Sequence, residues 1–202
     1  MKILLNFNNN KKKILGGIET LNQNLFNKLK QNKKFHIEKT LNSNFYDAVI
    51  SSNDARIFNK VKTHKKILWI HNQLQIEKAF RKRQFFPLIK HRIHAIFVSK
   101  YLKNITSNIY RFDKRIIIPN FLDKKFENIK ISLNRKPIVM WCVSRDKGLN
   151  EVIKLWKNDI IKNIPNSEFH IFGVNKYKQN RRLELNNIFF HGKVSKKILI
   201  KF

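Results

Sequence analysis

An alternation constrains this chain most strongly. Short apolar runs of strand length recur along it, separated by stretches whose apolar residues fall at helical spacing. Lys2–Phe7 (KILLNF) reads as a buried strand, and Ile18, Leu21, Leu25, Phe26 and Leu29 then place a helix after Gly17. Phe35–Thr40, Tyr46–Ser51, Ile67–His71 (ILWIH), Ala95–Ser99 (AIFVS) and Arg115–Pro119 (RIIIP) read as five further strands. Ser99 is placed to cap a helix that carries Leu102, Ile105 and Ile109. Strands alternating with helices predict an α/β fold built on a parallel sheet covered on both faces.

The stretch from Leu122 to Lys136 is polar and weakly patterned, which predicts a linker over 124–136 between a first unit, 1–123, and a second, 137–202. Pro137–Val143 (PIVMWCV) is apolar on both faces and opens the second unit. A helix follows with Leu149, Val152, Ile153, Trp156, Ile160 and Ile164, and Pro165 stops it. Glu168–Phe172 and Asn187–Phe190 read as strands, and Ser195–Phe202 as the start of a helix. Leu149, Trp156 and Ile160 can cover one face of such a sheet, and little chain is left for the other. The second unit is therefore expected to be incomplete and less stable than the first, with Ile198, Leu199, Ile200 and Phe202 beside an exposed edge. Two such units imply a cleft at the carboxyl ends of their strands.

Composition narrows the function. The 202 residues carry a formal charge of +30, the usual mark of a nucleic-acid or anionic-surface partner. About half the chain is Phe, Ile, Lys or Asn, all of which A and T alone can encode, so a solvated Lys-rich surface accounts for much of the excess. No aromatic and basic residues interleave in a recognisable nucleic-acid motif, so no nucleic-acid partner is expected. The one cysteine, Cys142, allows no intrachain disulfide and fits a reducing cytosol. The apolar start is short for a signal peptide, and no run approaches the ~18 apolar residues of a membrane span. The expected location is cytoplasmic. One segment, Ile76–His94, mixes Lys78, Arg81, Lys82, Arg83, Lys90, His91 and Arg92 with Phe80, Phe85, Phe86, Leu88 and Ile89. It is either a loop with its aromatics in the core or a surface that leans on the anionic inner face of a membrane.

Few residues point to chemistry individually. Gly16-Gly17-Ile18-Glu19 joins the first strand to the first helix, where paired glycines let a backbone approach a ligand and aim helix N–H groups at an anion. The same pair also serves as a flexible turn. Ser144-Arg145-Asp146-Lys147-Gly148 opens the long helix of the second unit. Arg145 can grip two phosphate oxygens and Lys147 add a point charge, or both can be solvated surface cations. His71-Asn72 follows the fourth strand, at a sheet edge where ligands gather. The other histidines show no metal-ligand spacing, and no metal site is expected.

Taken in order, these pieces resemble the family 4 glycosyltransferases of GT-B fold. The resemblance runs through Gly16-Gly17-Ile18-Glu19, His71, Phe97-Val98-Ser99, Ile118-Pro119-Asn120-Phe121-Leu122-Asp123, Arg145 with Lys147-Gly148, Pro165 to Gly173, and Phe190-His191-Gly192. The family's loop has Gly before the Arg and a longer gap to the Lys. Here Ser144 stands in the Gly place, and one residue separates Arg145 from Lys147. Its acidic E-x7-E segment would come after Gly192 and is not found before Phe202. The resemblance implies a hexosyltransferase with two Rossmann-type units, an acceptor-side first unit and a nucleotide-sugar-binding second one. It implies no cofactor. A nucleotide-diphosphate sugar is the donor, and a glycan or lipid-linked molecule of cell-surface polysaccharide synthesis is the acceptor. Arg145 and Lys147 would neutralise the leaving diphosphate with Gly16 and Gly17 nearby. His71 would touch the transferred sugar, and Asn72, Ser99, Asn120, Gly148 and Gly173 would line the cleft. The alternatives are an inactive truncated remnant and a basic nucleic-acid-binding module. Residues 1–202 alone are expected to bind nucleotide without measurable transfer.

Overall fold

A computed structural model describes residues 1–7, 17–121, 136–142, 147–174, 187–194 and 196–199. The chain divides into two compact units, Met1–Phe121 and Leu122–Phe202. The expected linker over 124–136 falls almost wholly outside the described residues.

The first unit holds one six-stranded sheet, formed by β1 (Lys2–Asn6), β2 (His36–Glu38), β3 (Phe45–Ser52), β4 (Lys62–Ile70), β5 (Ile93–Phe97) and β6 (Lys114–Ile117). The order across the sheet is β2-β1-β3-β4-β5-β6, and every neighbouring pair is parallel. All six strands coincide with apolar runs expected from the sequence. The other boundaries differ by one or two residues, but β4 begins at Lys62 rather than Ile67, because Lys62–Lys66 pair through their backbone with Phe45–Val49. Their side chains stay largely outside the core, so the pairing left no apolar signature in that stretch.

The sheet is buried on two faces, as parallel sheets are. Helix α1 (Gly17–Gln31) lays Leu25, Phe26 and Leu29 over Ile3, Leu5, Phe7 and Ala48, and buries Leu21 as well. The opposite face packs Leu4, Val49, Leu68, Ile70, Ile93, Ala95 and Phe97 against Phe58, Phe85, Leu88 and Tyr110. Those partners come from a 3-10 turn (Ala55–Asn59), from α3 (Phe85–Lys90) and from a second 3-10 turn (Asn108–Tyr110). Helix α2 (Ile76–Arg81) adds Ala79 to the same cluster. Truncating any fully buried Leu here, such as Leu4 or Leu5, costs about 2–5 kcal/mol by the usual cavity penalty.

Among its described residues the second unit holds three parallel strands, β7 (Ile138–Trp141), β8 (Glu168–Phe172) and β9 (Ile188–Gly192), in the order β7-β8-β9. Helix α5 (Leu149–Leu155) runs into a π-helical turn, Trp156–Ile160. Trp156 is fully buried there, its ring 5.1 Å from that of Phe169. With Leu149, Phe169, Ile171 and Ile188 it forms this unit's core. The helix and three strands match the sequence expectation. The π turn does not, because its apolar residues keep a spacing that an α-helix would also satisfy.

Candidate functional site

The chain changes its direction of progress across the first sheet between β1 and β3. From β1 it moves outward to β2, and from β3 it moves through β4 to β6 on the other side. Loops leaving the carboxyl ends of two such strands diverge and open a crevice, the usual ligand position in this architecture. A crevice of about 510 Å³ lies there, within the ~300–1,000 Å³ typical of small-molecule sites. Asn6 and Phe7 at the end of β1, Ser52, Asn53 and Asp54 around the end of β3, and Ile18, Glu19 and Asn22 from α1 line it. Arg56, Asn72, Lys82 and Gln84 complete the wall.

The floor is tied together by short polar contacts. Asn6 Nδ2 donates to Ser51 Oγ at 3.0 Å and joins β1 to β3. Asp54 accepts from the main-chain N–H of Arg56 at 3.0 Å and holds the guanidinium at 2.6 and 2.9 Å. Burial pushes the Asp54 carboxyl up, but the Arg56 hydrogen bonds and charge outweigh it and leave the group below its ordinary value. Asn53 holds a left-handed φ of 55° and accepts the His71 N–H on its side chain at 2.8 Å.

Two oxygens at this site have no hydrogen-bond partner among the described residues. Asn22 is 5% exposed and its Oδ1 has no hydrogen-bond partner; neither has the buried Ser52 Oγ. A buried acceptor left unpaired costs roughly 1–3 kcal/mol, which a ligand hydroxyl or N–H would relieve. Among the described residues the charges of the wall balance: Glu19 and Asp54 stand with Arg56 and Lys82, in a chain whose formal charge is +30. Such a wall suits an uncharged, hydroxyl-rich ligand better than a polyphosphate.

The expected site residues separate. Ile18 and Glu19 of the Gly16-Gly17-Ile18-Glu19 motif line the crevice, and so does Asn72. Gly17 opens α1 without lining it, and Gly16 lies outside the described residues. His71 is not among the lining residues; its ring lies 4.6 Å from that of Trp69, and both ring nitrogens are buried without a partner among the described residues. Burial lowers its pKa to about 4, so it is neutral near pH 7. Ser99 is occupied as the N-cap of α4 (Lys100–Ile105), accepting from Leu102 N–H at 3.1 Å. Asn120 is exposed beyond β6.

The remaining expected residues belong to the second unit. Lys147 is exposed immediately before Gly148, whose φ of +91° makes it the left-handed residue that starts α5. A side chain there would be strained, which accounts for the glycine. Gly173 ends β8 with its N–H on the Gly192 carbonyl at 2.7 Å. Arg145 lies outside the described residues. Among the described residues no group of three or more His, Cys, Asp or Glu is placed to hold a metal ion.

Nine lining residues were not among the expected site residues: Asn6, Phe7, Asn22, Ser52, Asn53, Asp54, Arg56, Lys82 and Gln84. Signals for some of them existed. Asn22 follows Ile18 by four residues and so shares its helix face, and Ser51-Ser52-Asn53-Asp54 is a polar run directly after an apolar strand. No protein-family model matches the chain, and no curated protein matches it.

Proposed function

We propose that this chain is a sugar-transferring enzyme of GT-B type, a hexosyltransferase that uses a nucleotide-diphosphate sugar and passes the sugar to a glycan or lipid-linked acceptor. The observation that carries the reading is the crevice between the carboxyl ends of β1 and β3. It gathers Glu19, a position of the resemblance, and the expected cleft residue Asn72 with Asn22 and Ser52 oxygens that have no partner among the described residues. Hydroxyl groups of a sugar satisfy such acceptors, and the carboxylate of Glu19 takes a further O–H. Two parallel α/β units, each with a helix following a strand, support the same reading.

In this account the first unit holds the acceptor and the second unit the donor. Arg145 and Lys147 stand before α5 and neutralise the charge that grows on the leaving diphosphate, with no metal ion required of them. The acceptor side is tested by saturation-transfer NMR with a panel of soluble oligosaccharides. Saturation of sugar protons is expected, weakened by Glu19→Gln and by Asn22→Leu. An absence of saturation from every sugar, in a chain that still binds nucleoside diphosphate, would remove the acceptor assignment.

A further inference from the structure

The segment Ile76–His94 divides its apolar residues between two destinations. Phe85 and Leu88 enter the core of the first unit, whereas Ile76, Phe80, Phe86 and Ile89 remain 40%, 50%, 67% and 38% exposed. The exposed set is contiguous. Ile76 and Phe80 stand four residues apart on α2, and Phe86 and Ile89 three apart on α3, so each pair shares a helix face. The rings of Phe80 and Phe86 meet edge to face at 6.2 Å, and both pack on Phe85, at 3.9 and 5.8 Å. The cluster is thus anchored in the core by one ring and presents two others to solvent.

Cations surround it. Arg81, Lys82, Arg83 and Lys90 are exposed, and none of them has an acidic partner among the described residues. Glu77 is the sole acid between Ile76 and His94. Arg83 also holds a left-handed φ of 55° in the turn between α2 and α3. Its N–H bonds the Phe80 carbonyl at 2.8 Å, and the Gln84 N–H bonds that of Ala79 at 2.8 Å, the pattern of a Schellman C-cap. That place favours glycine, so a long cation is kept at the tip of the turn at a cost in strain.

We propose that the α2–α3 hairpin is a docking surface for an anionic lipid bilayer: Phe80 and Phe86 enter the interface, and Arg81, Lys82, Arg83 and Lys90 sit among acidic headgroups. The charge of the rim and the aliphatic and aromatic character of its centre together favour a bilayer over a soluble polyanion, which has no apolar interior to receive Ile76, Phe80, Phe86 and Ile89. The surface adjoins the crevice through Lys82, which belongs to both. It stands independently of the transferase reading, because bilayer binding requires no turnover.

Co-sedimentation of the full chain tests it, with vesicles of pure phosphatidylcholine and of phosphatidylcholine mixed with phosphatidylglycerol. Binding to the mixed vesicles is expected to exceed binding to neutral ones by at least about tenfold, and Phe80→Ser with Phe86→Ser to lower it by a similar factor. Both side chains are exposed, so melting temperature should change little and loss of folding is not the cause. Arg81→Glu with Arg83→Glu should weaken binding more than Lys28→Glu with Lys30→Glu on α1, which removes equal charge elsewhere. Equal losses in the two charge variants, or intact binding in the double Phe variant, would reduce the effect to net charge and overturn the proposal. Loss of single-stranded oligonucleotide binding in the double Phe variant, with vesicle binding unchanged, would make the surface one for nucleic acid and overturn it equally.

Discussion

Asn53 accepts the main-chain N–H of His71 on its side-chain oxygen at 2.8 Å, while its own N–H bonds the Trp69 carbonyl at 3.0 Å. One residue just past β3 thereby fixes the end of β4 and the rim of the crevice. It does so from the left-handed region, which Asn tolerates and Ala does not. Asn53→Ala is expected to destabilise the chain by about 2 kcal/mol, from strain plus the lost hydrogen bond. Asn53→Asp keeps the acceptor and should cost clearly less. Chemical denaturation of the two variants checks the order, and equal stability would contradict it.

Asn22 separates a binding role from a stabilising one. Its Oδ1 is buried without a partner, so Asn22→Leu should leave stability unchanged or raise it by about 1 kcal/mol. The same variant should weaken sugar binding. A marked fall in melting temperature would mean that the amide is satisfied in the folded chain and is no ligand group.

His71 gives the chain a pH dependence with a definite sign. Its folded pKa is about 4, below the ordinary 6.5, because burial disfavours the charged ring. The unfolded chain therefore binds more protons between those values. Stability held by the neutral ring is present above about pH 6.5 and is lost as pH falls toward 4. The loss is on the order of 3 kcal/mol over that interval. His91 and His191 are lowered by burial too and act in the same direction. His71→Phe should flatten the stability profile between pH 4.5 and 6.5, measured by denaturant midpoint. An unchanged slope would show that the ring is solvated.

Arg83 occupies a left-handed position that favours glycine. Arg83→Gly is expected to stabilise the chain by up to about 1 kcal/mol, since the Schellman hydrogen bonds do not depend on the side chain. Thermal melting reads this directly, and a destabilised variant would place the Arg83 side chain in a contact that holds the fold.

Much of the fold was legible in the sequence. KILLNF, ILWIH and AIFVS mark β1, the end of β4 and the end of β5, and an apolar run of strand length bounded by turn residues has few other uses. The α1 stripe was equally plain, because Leu21, Leu25, Phe26 and Leu29 keep a 3.6-residue period. Lys62–Lys66 was not, since backbone pairing leaves no mark on exposed polar side chains. The crevice was legible in small part. Asn72 stood out by its position after a strand, whereas Glu19 belonged to the motif but read as a first-turn helix charge. Asn22 shares a helix face with Ile18, but that this face borders the end of β3 follows from the order β2-β1-β3, a long-range fact that no local window contains. His71 drew attention as a lone histidine after a strand, yet its ring turned back on Trp69 and left the rim to its neighbour.

Calorimetric titration of nucleoside diphosphates, both uridine and guanosine, into the chain tests the central claim most directly. One of them should bind with a single site per chain, and Arg145→Ala with Lys147→Ala should abolish the heat while leaving the melting temperature unchanged, since each charge-assisted contact contributes ~1.5–3 kcal/mol. Affinity unchanged in the double variant, or no heat from either nucleotide with the unaltered chain, would contradict the account.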